Sequence, residues 1–194
     1  MKKDNPLLYR IFRPIVYFLV KLIFRPKMIG LENIPKQGGI VLAGTHTSIF
    51  DCFLMMSCTK RTVHFLAKKE LWKWPLGIII GAMGLVPVDR SIHDKNALKE
   101  AENYLKNGSV VLVFPEGTTQ KGRGLLPFKI GAVKMASDMD VPIIPFAITG
   151  KYRPFLNDLK FVVGKPLTVS KKKDLTDDNN HLREVVRGLL EEDK

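Results

Sequence analysis

The sequence predicts an α/β fold: one domain built on a mostly parallel central sheet covered by helices, preceded by an N-terminal amphipathic helix. Three observations predict it. Short continuous apolar runs recur along the chain, as strands buried on both faces require. Helical stretches separate most of those runs, and strands alternating with helices build parallel sheets. The 194 residues, 45% hydrophobic and 26% charged, contain no low-complexity tract or internal repeat and suffice for one well-buried core.

The N-terminal segment is bulky and basic. Between Leu7 and Phe24 large apolar residues dominate, and residues 1–27 carry seven basic side chains (Lys2, Lys3, Arg10, Arg13, Lys21, Arg25, Lys27) against Asp4 alone. That segment holds half of the net charge of +12. A spanning helix needs roughly 20 apolar residues. Here the longest uninterrupted run, Pro14 to Val20, is bracketed by Arg13 and Lys21. A signal peptide is not expected either, since no small-residue cleavage site follows and basic residues continue past the run. Two readings stand: a helix lying on an anionic bilayer, where each base contributes on the order of 1 kcal/mol, or a helix packed on the domain with its bases solvated. We take the first, with residues 1–29 as a membrane-associating arm and 30–194 as the α/β domain.

The remaining elements follow in order. "GLENIPKQGG" (30–39) is punctuated by Gly and Pro and reads as a loop. "IVLAG" (40–44), "VHFLA" (63–67), "GLVPV" (84–88), "SVVLVF" (109–114), "VPIIPFAI" (141–148) and "LKFVV" (159–163) read as strands. Helices are expected at 49–58, 70–80, 93–107, 128–138 and near 181–192. In open parallel sheets, chemistry gathers beyond the carboxyl ends of strands. His46 follows the first of these strands and Glu116 the fourth.

"AGTHTSIFDCF" (43–53) therefore has two readings. Ser48 and Asp51 match a capping box, in which both side chains serve the first turn of a helix. Alternatively the His46 ring folds back onto that turn and meets Asp51; a carboxylate on one ring nitrogen leaves the other as an acceptor for an alcohol proton. No G-x-S-x-G occurs, so a hydrolase triad lacks its nucleophile. A base without an enzyme nucleophile suits direct attack by a substrate hydroxyl on an activated acyl group. Cys52 and Cys58, six apart in one predicted helix, point to different faces. They are read as reduced thiols, and neither metal nor cofactor is expected.

"FPEGTTQKGRG" (114–124) adds a carboxylate, glycines that open backbone N–H groups to a ligand, and positive charge on Lys121 and Arg123. Arg123-Gly124 stands where a P-loop requires Lys-Ser/Thr, so nucleotide binding is disfavoured and phosphate binding is not. Lys68 and Arg90 sit at two other strand ends; a guanidinium there suits phosphate, or a structural pair with Asp89.

Together these stretches resemble the glycerolipid acyltransferase family. Its H-x4-D block matches His46 to Asp51, its second block matches "GLVPVDR" (84–90), its F-P-E-G-T block matches Phe114 to Thr118, and its V-P-I-I-P block matches 141–145. The resemblance runs from residue 31 to about 165. It implies transfer of an acyl group from a thioester, carried by acyl carrier protein or coenzyme A, to the 2-hydroxyl of lysophosphatidic acid (1-acylglycerol 3-phosphate), giving phosphatidic acid. It also implies roles by position. His46 is the base and Asp51 orients it; Glu116, Gly117, Thr118, Arg90, Lys68 and Lys121 bind the acceptor. "PLGIIIGAM" (75–83) and Val141–Pro145 line an acyl channel, or are plain core. Three features depart from the family pattern. Thr45 stands for the usual Asn, Thr119-Gln120 for the usual Arg-Ser, and the chain is shorter than many relatives. Lys121 or Arg123 are the candidates for the missing guanidinium. Glycerol 3-phosphate or a lyso-aminolipid is the alternative acceptor. A nucleic-acid-binding module would also use net +12, but the densest basic segment is the most lipophilic one, and no nucleic-acid partner is expected. The expected location is the cytoplasmic face of the cell membrane, as a peripheral protein.

Overall fold

The computed structural model describes residues 7–68, 85–88, 95–120 and 122–191. The elements are α1 (Leu7–Ile23), β1 (Lys27–Ile29), a 3-10 turn (Leu31–Asn33), β2 (Ile40–Gly44), α2 (Asp51–Cys58), β3 (Val63–Lys68), β4 (Leu85–Val88), α3 (Lys95–Lys106), β5 (Val110–Val113), α4 (Gly131–Met139), β6 (Ile143–Thr149), β7 (Lys160–Val163) and α5 (Thr176–Glu191). Seven described strands form one sheet in the order β1-β7-β6-β2-β5-β3-β4. Every neighbouring pair is parallel except β6 with β7. The expected α/β architecture with a mostly parallel sheet is what the chain adopts.

The central strands are apolar throughout because both faces are covered. All five residues of β2 are buried. Ile40 and Leu42 point to one face, where α1 and α2 contribute Tyr9, Val20, Leu54, Met55 and Met56. Val41 and Ala43 point to the other, against Ala101 and Leu105 of α3, Ala132 and Val133 of α4, and Val186 of α5. At its carboxyl end β2 runs so close to β6 that a Cβ on Gly44 would lie 2.0 Å from the Phe146 carbonyl oxygen. Only glycine fits there. The next residue locks the same junction: the Thr45 hydroxyl, fully buried, accepts the Ile148 N–H at 2.8 Å.

Three differences from the sequence reading have physical causes. The segment Lys27–Ile29 is a strand, not the tail of an arm; it pairs in parallel with β7 as a short, half-exposed edge that lacks a buried-strand pattern. Within the segment read as loop, Leu31–Asn33 makes a single 3-10 turn. The terminal helix starts at Thr176, five residues before the expected position. Its polar opening "TDDNN" looks like loop, yet Asp177 and Asp178 suit the positive end of a helix dipole. The expected helix at 70–80 and the apolar stretch 75–83 lie outside the described residues.

α1 packs on the domain along one face and leaves a large apolar face open. Tyr9 and Val20, three turns apart, are buried against the domain. The Tyr9 hydroxyl accepts the Val63 N–H at 3.2 Å, and the Arg13 Nε donates to the Thr59 carbonyl at 2.7 Å. The opposite face leaves Leu8, Ile11, Ile15, Phe18, Leu19 and Leu22 exposed. Among the described residues no helix is long and apolar enough to cross a membrane.

Candidate active site

β2 and β5 are neighbours, and Ala43 of one is in register with Val113 of the other. Their following helices leave toward opposite faces, α2 to one and α4 to the other. A crevice beyond the carboxyl ends of two such strands is where open α/β sheets hold ligands. His46 and Glu116 both stand there.

His46 lies between β2 and α2, and its ring folds back so that Nδ1 is 2.8 Å from Asp51 Oδ2. Asp51 is fully buried. Its Oδ2 also accepts the N–H groups of Thr47 (2.7 Å) and Ser48 (3.0 Å), while Oδ1 accepts the Thr47 hydroxyl (3.0 Å) and the Tyr152 hydroxyl (2.7 Å). With Asp51 acting solely as acceptor, Nδ1 carries the hydrogen and Nε2 keeps its lone pair. The ring stacks on Phe114, centroids 4.0 Å apart and planes 13° from parallel, and 18% of the side chain stays open. Only half of the capping box forms: Asp51 serves the Ser48 N–H, but the Ser48 hydroxyl accepts from Phe50 N, two residues on. So Asp51 caps the turn and orients His46 at once; the two sequence readings are not alternatives.

Glu116 sits beside this pair and is 5% exposed. Its Oε1 accepts the His46 N–H (3.3 Å) and the Gln120 side-chain amide (2.8 Å), and its Oε2 accepts the Leu126 N–H (3.4 Å). The Gln120 N–H in turn donates to the His46 carbonyl at 2.8 Å. Burial pushes the Glu116 carboxyl up, and the bonds from Gln120, His46 and Leu126 offset part of that rise. Gly117 turns with φ +70°, and the Lys129 side chain lies over its Cα, bringing an ammonium to the loop. Thr118 is exposed at the loop's tip. Arg123 donates from Nε and Nη2 to the carbonyls of Gln120 and Thr119, so it shapes the loop it was expected to charge.

The structure thus brings His46, Asp51, Glu116 and Gly117 together. Arg90 and Lys121 lie outside the described residues; Lys68 closes β3, but its side chain lies outside them too. Sequence reasoning missed Tyr152, Gln120 and the stacking role of Phe114. Tyr152 had one usable signal: it follows β6, which pairs with β2, so it leaves the sheet at the same end as His46. Burial, then the Asp51 charge, pushes its phenol far above the ordinary value, so it stays a donor. Cys52 and Cys58 are free, and burial pushes both thiols up to about 12, which keeps them unreactive. Among the described residues no cluster could hold a metal ion.

Residues 25–149 match the family model described as Acyltransferase. The chain belongs to the acyltransferase family. This acyltransferase is 32% identical over 148 residues to the 1-acyl-sn-glycerol-3-phosphate acyltransferase of Bacillus subtilis, covering 73% of each chain. It is 33% identical over 162 residues to the chloroplastic 1-acyl-sn-glycerol-3-phosphate acyltransferase BAT2 of Brassica napus, and spans about half of that longer protein, 47%. In three dimensions it is similar to the crystal structure of the 1-acyl-sn-glycerophosphate (LPA) acyltransferase PlsC from Thermotoga maritima, with TM-score 0.72 and 26% identity over 93% of this chain and 76% of that one.

Proposed function

We propose that the protein transfers a fatty acyl group from a thioester to the 2-hydroxyl of 1-acylglycerol 3-phosphate, forming phosphatidic acid. The observation that carries this reading is the His46–Asp51 pair, whose Nε2 is left as an acceptor at the carboxyl end of β2. The names of relatives at about 30% identity point to the same acceptor.

The steps follow from the geometry. His46 Nε2 takes the proton of the acceptor hydroxyl as its oxygen attacks the thioester carbonyl. The resulting imidazolium is held by Asp51, whose other bonds prevent the carboxylate from turning away. Collapse of the tetrahedral intermediate expels the thiolate of coenzyme A or acyl carrier protein, and the imidazolium returns the proton to that sulfur. No acyl-enzyme forms. Such a base contributes typically 10²–10⁴-fold to rate. Glu116 fixes the Gly117–Gln120 loop against His46 and so shapes the acceptor's seat, with Thr118 at its open side. Lys68, Arg90 and Lys121 supply charge to the acceptor phosphate. The outward face of α1 holds the enzyme on an anionic, cytoplasm-facing bilayer where acceptor and product both reside, with α1 as the arm and the sheet domain that opens at β1 as the catalytic domain.

One observation favours a second acceptor: Thr119 stands where the third block has its arginine, and the Gln120 amide beside it is spent on Glu116. A lyso-lipid without a phosphate monoester would not need that guanidinium. The test is phosphatidic acid formation from lysophosphatidic acid, with acyl-CoA and acyl carrier protein donors in separate reactions, beside His46→Ala. Product from wild type and a loss of about 10²-fold or more in the variant is expected. Undiminished product from a folded variant removes His46 as the base. Turnover of lyso-aminolipids alone moves the reading to the second acceptor.

A further inference from the structure

Two short exposed apolar stretches meet beside the catalytic pair, and neither belongs to the arm. Ile49 and Phe50, three and four residues after His46, are 70% and 42% exposed at the start of α2. Phe155 and Leu156, in the loop after β6, are 63% and 53% exposed. The loop is tied to the end of α1 by the Phe155 N–H, which donates to the Ile23 carbonyl at 2.6 Å. The two stretches are bridged by aromatic contacts: Phe24 lies 5.5 Å from Phe50 and 5.3 Å from Tyr152, and Phe50 lies 5.7 Å from Tyr152. Tyr152 in turn holds Asp51.

Phe155 is in the left-handed region with φ +62°, where a bulky side chain is rare. A residue strained in this way and turned to water gains nothing from the fold itself, which points to a function outside it. The neighbouring charge says what kind. Arg25, Lys151 and Arg153 are exposed around the same loop against one exposed acid, Asp158, so the large apolar side chains have a net basic rim. That pairing is the chemistry of insertion at an anionic lipid interface, where apolar groups enter the acyl boundary and bases stay at the headgroups.

We infer that Ile49–Phe50 and Phe155–Leu156 form a second membrane-insertion rim, set around the mouth of the His46–Asp51 site and distinct from the outward face of α1. The occupant is an anionic phospholipid bilayer. The rim rests on the acyltransferase reading only for its purpose: an acceptor whose acyl chain stays in the bilayer presents its hydroxyl to His46 without leaving the membrane. α1 and the rim share one junction at Phe24, so a bilayer that receives the helix also reaches the site.

The experiment places an environment-sensitive fluorophore on Phe155→Cys, with Leu156→Cys as a second position, and on Phe18→Cys in α1. Cys58 is buried and Cys52 half-buried, both thiols are pushed up to about 12, and labelled wild type sets the background. Each protein is mixed with vesicles of equal parts phosphatidylglycerol and phosphatidylcholine. A blue shift at Phe155 or Leu156, with quenching by lipids labelled just below the headgroup, is the expected result. A probe at both loop positions that stays in water while the Phe18 probe enters lipid overturns the rim and leaves the arm standing. Probes in water at all three sites overturn both membrane readings, while phosphatidic acid formation in detergent still judges the reaction separately. Phe155→Ser with Leu156→Ser is expected to weaken vesicle partition about tenfold or more, with kcat on detergent-dispersed lysophosphatidic acid unchanged. Unaltered partition overturns the rim.

Discussion

Asp51 and Arg61 are charged side chains at opposite ends of the same central strands, and each is held by several hydrogen bonds. At the amino ends of β2 and β5, the Arg61 guanidinium donates to the carbonyls of Pro35 (2.7 Å), Gly108 (2.6 Å) and Gly38. Burial lowers its pKa, the direction expected for a cation taken partly out of water. At the carboxyl ends, five donors converge on Asp51. The difference lies in the last partner. Arg61 is met by backbone, so its network ends where it begins, in the fold. Asp51 is met by a histidine whose other nitrogen stays open, so that network ends in the atom that the proposed reaction uses as its base. A polar cluster that closes on the backbone holds loops together, and one that stops at a half-open ring is available for chemistry.

The largest break in this comparison is Asp51→Asn. Its amide would point an N–H toward donors that need an acceptor and would no longer fix the His46 tautomer. The rate of acyl transfer is expected to fall on the order of 10²-fold or more, and Tm to fall with it because buried donors lose their partner. His46→Ala should cost a similar rate with little change in Tm. A thermal melt beside a turnover assay separates the two, and equal Tm losses would show that His46 is as structural as Asp51.

Arg61→Met is the opposite case. Hydrogen bonds from a charged group contribute about 1.5–3 kcal/mol each when net effects are measured. With part of the guanidinium exposed, a total loss of about 2 kcal/mol is expected in urea unfolding, with kcat per folded molecule unchanged. A tenfold fall in kcat would mean the two ends of the strands are coupled.

The same contrast explains what was legible in the sequence. His46 and Asp51 are five residues apart, so the turn that joins them is local and can be argued from a strand end and a helix start. The sheet's central strands were legible for a related reason: burial on both faces writes a continuous apolar run. Tyr152 was not legible as a partner because its bond to Asp51 spans 101 residues and depends on β6 lying beside β2. Gln120 was seen only as a departure from a motif, and its link to Glu116 needs the loop's actual turn. β1 was missed because three residues with exposed ends carry no burial pattern, and their strand state comes from β7. Local contacts and two-sided burial leave a trace in the sequence; long-range polar contacts and edges do not.

A smaller effect tests how many of the donors on Asp51 the reaction needs. Tyr152→Phe deletes one hydroxyl and keeps the ring that packs on Phe24 and Phe50. Four donors remain, so kcat is expected to fall about fivefold to tenfold, the worth of roughly one net hydrogen bond. KM for the acceptor should stay constant, since Asp51 is buried behind His46. A rise in KM with kcat intact would place Tyr152 against the substrate instead.

The smallest effect is a pH dependence carried by Glu116. Its folded carboxyl lies above the ordinary value of about 4.5, with burial as the first cause. In the window between that ordinary value and the raised folded value, the unfolded chain has released the proton and the folded one still holds it. The unfolded state therefore binds fewer protons there, and stability falls as pH rises through the window. Glu116→Gln cannot titrate. Below the window a protonated Glu116 resembles the amide, and the two proteins should melt at similar temperatures. As pH rises through the window, wild type should lose Tm relative to the variant. The curves should run parallel again above the folded pKa. Melts taken at intervals of half a pH unit from pH 4 upward check this. A wild type that gains on the variant with rising pH would mean that the bonds from His46, Gln120 and Leu126 outweigh burial, and that Glu116 is held as a carboxylate by its donors.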